Sequence, residues 1–245
     1  MVRKKQPRRK RPKQILTGLS AHDQKKCLLR WRGWILRIKS EVGDLIGRRE
    51  IFVGVRAILR LNPEAGDPST FVNWMMQNYV EAATIGVRRL CDTRPDVESL
   101  SHLLRQLLQY PDVLNLQAHA GLYPARRRSD AKSTFERIAG AGRITLSARS
   151  IRSDLRRLEN AAARIQRFVN KKVAHAAPSR DIRKGPTYGE LGRMLETLDE
   201  IAVKYLVLLT ADGYATCARV RQRDWRKVLL RPWLDREDLD VLDTA

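Results

Sequence analysis

The chain reads as a succession of long apolar stripes at helical spacing. Over residues 23–61, which hold no proline, apolar side chains recur at Leu28, Trp31, Ile35, Ile38, Val42, Leu45, Phe52 and Leu59, with Arg49 and Arg56 filling two slots. Steps of three and four line one face of a helix, whereas a strand alternates every second residue. Gly43, Gly47 and Gly54 mark places where a bend or break is expected, and Asn62, Pro63 and Gly66 end the helix. A second helix opens at Asp67-Pro68-Ser69, a cap followed by proline in the first turn. Its face is Phe71, Trp74, Met75, Asn78, Ala82 and Ile85, and it ends at Asp92-Thr93-Arg94-Pro95, because a residue before proline resists the helical conformation. A third runs from Ser99 through Leu103, Leu104, Leu107 and Leu108 and stops before Pro111.

Residues 110–128 carry proline and glycine and end in Arg126-Arg127-Arg128, and a weak helix is expected over 130–139. The fourth strong helix covers 148–175, with the stripe Ile151, Leu155, Leu158, Ala162, Ile165, Phe168 with Val169, then Lys172. Its polar face holds Arg152, Arg156, Arg157, Arg164 and Arg167, and Pro178 ends it. The last long helix opens on Thr187-x-x-Glu190, a capping-box pattern, continues through Leu191, Leu195, Leu198, Ile201, Tyr205, Leu208 and Leu209, and closes at Gly213. Trp225 and Trp233 follow, then an acidic stretch from Asp235 to Asp243. No fixed-period repeat appears. Four to five long amphipathic helices without a strand signal predict an all-α antiparallel bundle. The expected organisation is a disordered basic arm over 1–21, the bundle over 22–213, and a C-terminal extension over 214–245 packing on it.

Charge changes the picture next. Lys and Arg number 48 against 27 Asp and Glu, a net charge of +21. Residues 1–14 hold eight basic residues and no acid, so removing them from +21 still leaves +13 on the rest. Like charges so dense cannot collapse, which predicts a disordered arm that either solubilises the chain or touches phosphates through Arg8, Arg9 and Arg11. The excess points to a polyanionic partner, nucleic acid before an anionic membrane surface. Cys27, Cys91 and Cys217 form no CxxC pair, which fits a reducing cytoplasm rather than a disulfide framework or zinc ribbon. No uncharged apolar run approaches the ~20 residues of a spanning helix, and no secretory signal follows the basic start, so no membrane role is expected.

The motifs of nucleotide, zinc and common hydrolase chemistry are missing: no GxxxxGK[ST], GxGxxG, HExxH or GxSxG is present. No cofactor or metal is expected. Of the four histidines, His22 is read as a helix-start residue, His102 as a surface residue and His119 as a loop residue. His175 differs, because it closes the most basic helix in the string Asn170-Lys171-Lys172-Val173-Ala174-His175. Lys171 and Lys172 lie four and three residues before it, on the same side one turn away. An imidazole that exchanges a proton near neutral pH then stands beside ammonium groups that hold a phosphate. Those are the parts that RNA cleavage without a metal requires. The plainer reading is a histidine whose cation suits a helix C-terminus. Arg88, Arg89 and Asp92 form a second polar group, either a solvated helix end or, with Asp92, a carboxylate that orients His175.

The segment 164–209, with its Asn-Lys-Lys-Val-Ala-His ending, Pro178 and Thr187-Tyr188-Gly189-Glu190-Leu191, resembles the HEPN superfamily. More narrowly it is similar to the AbiU-like branch associated with bacterial abortive infection, and Val87-Arg88-Arg89-Leu90-Cys91-Asp92 with Ser99-Leu100 fits the same branch. The likeness spans about residues 30–210. It implies a helical bundle that forms a homodimer and cuts RNA without metal, in a toxin-like or phage-defence role. The family motif is an arginine, a polar residue, three to five further residues and a histidine. Asn170 matches the polar position, His175 the histidine, and the arginine position holds Val169. Under this reading His175 is the general base or acid, Lys171 and Lys172 hold the scissile phosphate, and Asn170 and Asp92 orient. Arg88, Arg89, Arg164, Arg167 and the arm arginines then bind the strand. Val169 keeps a second reading open, a non-catalytic module that binds RNA or DNA. A structural subunit is a third, docking a protein partner through the C-terminal segment.

Overall fold

Helix α1 (Ala21–Leu61) starts where the Ser20 hydroxyl accepts the Asp23 backbone N–H, and it then runs unbroken for about 60 Å. The computed structural model describes residues 19–62, 70–173, 185–220 and 224–230. Among these no strand forms, and one isolated bridge pairs Asn115 with Thr145, so the fold is all-α as the stripes predict. The glycines of α1 do not split it. Two of them are points of close approach: a Cβ on Gly43 would lie 2.5 Å from the carbonyl oxygen of Cys217, and one on Gly54 would lie 2.6 Å from the Trp225 ring.

The other helices are α2 (Thr70–Leu90), α3 (Leu100–Gln109), α4 (Leu116–Ala120), α5 (Arg128–Ala139), α6 (Ala148–Phe168) and α7 (Tyr188–Thr210). The side-chain pairs that bridge them show their directions. Arg49 meets Glu196 and Arg32 meets the Leu209 carbonyl, so α1 and α7 run antiparallel. Phe52 stacks on Tyr79 and Glu41 pairs with Arg89, so α1 and α2 do too. Arg157 pairs with Glu200 and Arg164 with Glu190, which sets α6 antiparallel to α7. Arg49 and Arg56, the two cations in the apolar stripe of α1, reach Glu196 and the face of Tyr188 at the start of α7.

Helix α7 is the hub. Leu191, Met194, Leu195, Leu198, Ile201, Ala202 and Tyr205 are buried against Trp31, Ile35 and Ile38 of α1 and the inner stripe of α6. Each large aliphatic side chain removed from water contributes about 1.5–3 kcal/mol. One polar knot joins α6 to α7 within this core. The buried Asp154 carboxylate accepts from Lys204 Nζ at 2.6 Å and from the Tyr205 hydroxyl at 2.8 Å, while Lys204 also donates to Ser150 at 3.0 Å. Burial, with the Asp154 charge, pushes the Tyr205 phenol up and keeps it protonated.

Several expectations are corrected. In α2 the buried side chains are Ala83, Thr84, Val87 and Leu90, while Phe71, Trp74 and Ile85 of the expected face are exposed. The stretch 110–128 contains α4, capped by Asn115, whose side chain accepts the Ala118 N–H at 2.8 Å. His119 on α4 is wholly buried, with Nδ1–H donating to the Leu208 carbonyl at 2.9 Å and Nε2 unpartnered. His102 is not a surface residue either: it is buried against Trp34 and bonded to the Val97 carbonyl. The last long helix closes at Ala211, which takes the left-handed conformation at φ 62°, two residues before Gly213. The start expected at Asp67-Pro68-Ser69 and the basic arm lie outside the described residues. After α7, Asp199 accepts the Thr216 hydroxyl and the Cys217 N–H, both at 2.6 Å, and Arg219 reaches Ser40 and Asp44, so residues 216–219 lie along α1.

Candidate functional site

The fourth long helix does not continue as an α-helix to its expected end. The Val169 N–H still returns to the Ile165 carbonyl, but beyond it the bonding widens from i→i−4 to i→i−5, and Val169–Val173 form one π-helical turn. The wider turn rotates each residue less far than an α-turn does, and such insertions recur at functional sites. Here the turn carries Val169 into the core, where it is 1 % exposed, and leaves Asn170 and Lys171 exposed. It packs against the end of α2.

That junction forms a cleft of about 300 Å³ lined by Arg88, Cys91, Asp92, Thr93, Arg94, Gln166 and Asn170. Its walls are held by the turn that leaves α2. The Asp92 carboxylate accepts the Arg94 N–H at 3.0 Å and pairs with its guanidinium at 3.1 Å. The Asp92 carbonyl accepts the hydroxyl of Ser99, which also caps α3. Gln166 donates to the Cys91 carbonyl at 3.4 Å across the junction. Partial burial alone would raise the Asp92 carboxyl, but the Arg94 N–H, its guanidinium and the nearby Arg88 outweigh it and hold the group below the usual carboxylate range. Burial, helped by the Glu159 charge, pushes the Cys91 thiol up to about 12, so it lines the cleft as an inert thiol.

The structure therefore brings Arg88, Asp92 and Asn170 together from two helices. It directs two other candidates elsewhere: Arg89 pairs with Glu41 at 2.6 Å, and Arg164 pairs with Glu190 at 2.5 Å and donates to the Gly185 carbonyl at 3.1 Å. Arg167 is exposed on the outer side of α6. His175, the Lys172 side chain, Arg8, Arg9 and Arg11 lie outside the described residues. Gln166 and Arg94 belong to the cleft and were not singled out from sequence. Gln166 was within reach, since it stands four residues before Asn170 on the same helix side. Chemically the cleft offers an exposed guanidinium and two carboxamides, with its carboxylate already committed to Arg94. That set suits a phosphodiester oxygen better than a cation. Among the described residues no group of three or more His, Cys, Asp or Glu could hold a metal ion.

Among the described residues no helix is long and apolar enough to cross a membrane. A family model named HEPN_AbiU2 and described as AbiU2 matches residues 31–228. No curated protein and no solved structure matches the chain.

Proposed function

The chain belongs to the HEPN_AbiU2 family, and from that premise we propose that it acts on RNA, as a metal-independent endoribonuclease of the abortive-infection type. The observation that carries the reading is the cleft itself. Position 169, where the family motif has arginine, is an apolar residue in the core, yet Arg88 reaches the same cleft as Asn170 from the neighbouring helix. A guanidinium on α2 thus stands in for the one absent from the motif, and a planar fork suits a phosphate in a way a lone ammonium does not.

In this mechanism Arg88, Lys171 and Lys172 hold the scissile phosphodiester and Asn170 orients it. His175 takes the proton of the 2′-hydroxyl. The 2′-oxygen bonds to phosphorus, the bond from phosphorus to the 5′-oxygen breaks, and a proton returned to that oxygen completes the leaving group. The products are a 2′,3′-cyclic phosphate and a 5′-hydroxyl end. Asp92, tied to Arg94, fixes the turn that presents Arg88. A homodimer in the cytoplasm, with a protein partner at the C-terminal segment, belongs to the same reading.

Burial of Val169 favours a second reading, an RNA- or DNA-binding module that does not cut. One assay separates them: purified protein with mixed RNA and a chelator, wild type beside His175→Ala. Cutting by wild type alone supports the nuclease, with a loss of about 10²–10⁴-fold in the variant. Equal cutting by both removes His175 from the chemistry. Salt-sensitive binding without product supports the second reading.

A further inference from the structure

The arginines of α6 fall into two sets. Arg157 is paired with Glu200 at 2.6 Å and Arg164 with Glu190 at 2.5 Å, both toward α7. On the opposite flank Glu159 pairs with Arg105 of α3 at 2.7 Å. Between these flanks, on the side turned away from the buried Ile151, Leu155, Leu158, Ala162 and Ile165, runs a ridge of exposed residues. It consists of Arg149, Arg152, Arg156, Asn160, Ala163 and Arg167, spaced three and four apart. The ridge holds no acid, and among the described residues the side chains of its four arginines make no hydrogen bond, ion pair or ring contact. Like charges three and four apart cost a helix a few tenths of a kcal/mol per pair. The flanks of α6 relieve that cost with carboxylates, whereas the ridge does not. The ridge is about 27 Å long and ends at the π-turn beside the cleft.

We propose that the α6 ridge is a binding track for the sugar–phosphate backbone of single-stranded RNA leading into the Arg88–Asn170 cleft. The inference rests on the reading of RNA as the partner. A single row of guanidiniums bordered by Glu159 on one side and Glu200 and Glu190 on the other fits one phosphodiester strand. A second strand beside it would run over those carboxylates. Arginine also stacks on unpaired bases, so such a track needs no sequence readout.

The test is anisotropy titration of a labelled 2′-O-methyl oligouridine over a salt series; this probe lacks the free 2′-hydroxyl and cannot be cut by the proposed route. Replacing Arg149, Arg152 and Arg156 with Gln is expected to flatten the slope of log affinity against log salt by about 2, at ~0.7 for each phosphate that is no longer neutralised. The control removes the same charge from arginines paired away from the ridge, Arg37 with Glu98, Arg127 with Asp130 and Arg219 with Asp44, as Arg37→Gln, Arg127→Gln and Arg219→Gln together, and is expected to move the slope by less than about 0.5. Far-UV circular dichroism checks both folds. Should the ridge variant lose helicity, Arg152→Gln alone carries the test, with an expected change of about 0.7. A ridge variant with an unchanged slope overturns the track and leaves RNA as partner intact. Equal flattening in the control overturns it as well, since net charge alone would then suffice. A wild type that ignores the probe at every salt concentration overturns the track and the RNA reading together. Ridge-dependent sedimentation with phosphatidylserine vesicles, with no change in the RNA slope, overturns it in favour of a membrane surface.

Discussion

Helices α6 and α7 lie side by side and antiparallel, yet they spend their residues differently. α7 buries about half of its length and is closed at both ends, by the Thr187–Glu190 capping box and by left-handed Ala211, whose N–H returns to the Val207 carbonyl. α6 opens on a Ser147 cap but buries only a narrow stripe, carries an arginine ridge outside, and gives up α-bonding at its C-terminal end for the π-turn. Burial is concentrated in α7, whereas in the proposed function the cationic contacts fall to α6. A helix whose outer face contributes little to the core can carry a row of cations at a cost of only a few tenths of a kcal/mol per like-charged pair.

The contrast can be broken most strongly at Val169, which the π-turn buries in the core. Val169→Arg puts a cation among buried apolar side chains and is expected to lower stability by about 4 kcal/mol in urea denaturation. A stable variant with enhanced RNA cutting would show instead that position 169 faces the cleft. Asp154→Ala leaves Lys204 and Tyr205 without their shared acceptor and is expected to cost about 3 kcal/mol. It should leave the salt slope of RNA binding unchanged, because the knot lies inside the bundle. Thr187→Ala removes the cap of α7 and is expected to cost about 1 kcal/mol, or roughly 2–4 °C in Tm.

The smallest effect is in pH. Burial lowers the His119 imidazole below its ordinary 6.5, although the bond to the Leu208 carbonyl opposes the shift. The folded state therefore favours the neutral ring, while the unfolded chain takes up the proton more readily. The contribution is complete above about 6.5 and is lost as pH falls below it. Tm should decline on acidification in the wild type and decline less in His119→Gln. Parallel declines would place the titrating group elsewhere.

Most of the helices could be read in the sequence because their signals are periodic and long. The stripe of α1, the start of α3 at Ser99 and the Thr187 capping box are local patterns, and each appears in the structure as hydrogen bonds or burial. Short α4 was missed because five residues give no periodicity, and His119 was misplaced with it. The π-turn was missed because Val169-Asn170-Lys171 contains no proline or glycine to announce it. The first half of α2 misled for another reason: Phe71 and Trp74 are apolar, yet that half extends away from the core. At the site, the meeting of Asp92 with Asn170 depends on how the end of α2 packs on the π-turn, a tertiary fact that spacing along the chain does not contain. The sorting of arginines into paired and unpaired sets depends likewise on Glu190, Glu200 and Arg105 of other helices.

In the proposed function the cleft at the end of α2 receives an RNA phosphate through Arg88. Its neighbour Arg89 supplies a control of equal charge, because its guanidinium is held by Glu41. Affinity for the 2′-O-methyl oligouridine is to be compared in wild type, Arg88→Ala and Arg89→Ala at one salt concentration. A loss of about tenfold is expected for Arg88→Ala and of less than about twofold for Arg89→Ala. Equal losses in the two, or none in Arg88→Ala, would contradict it.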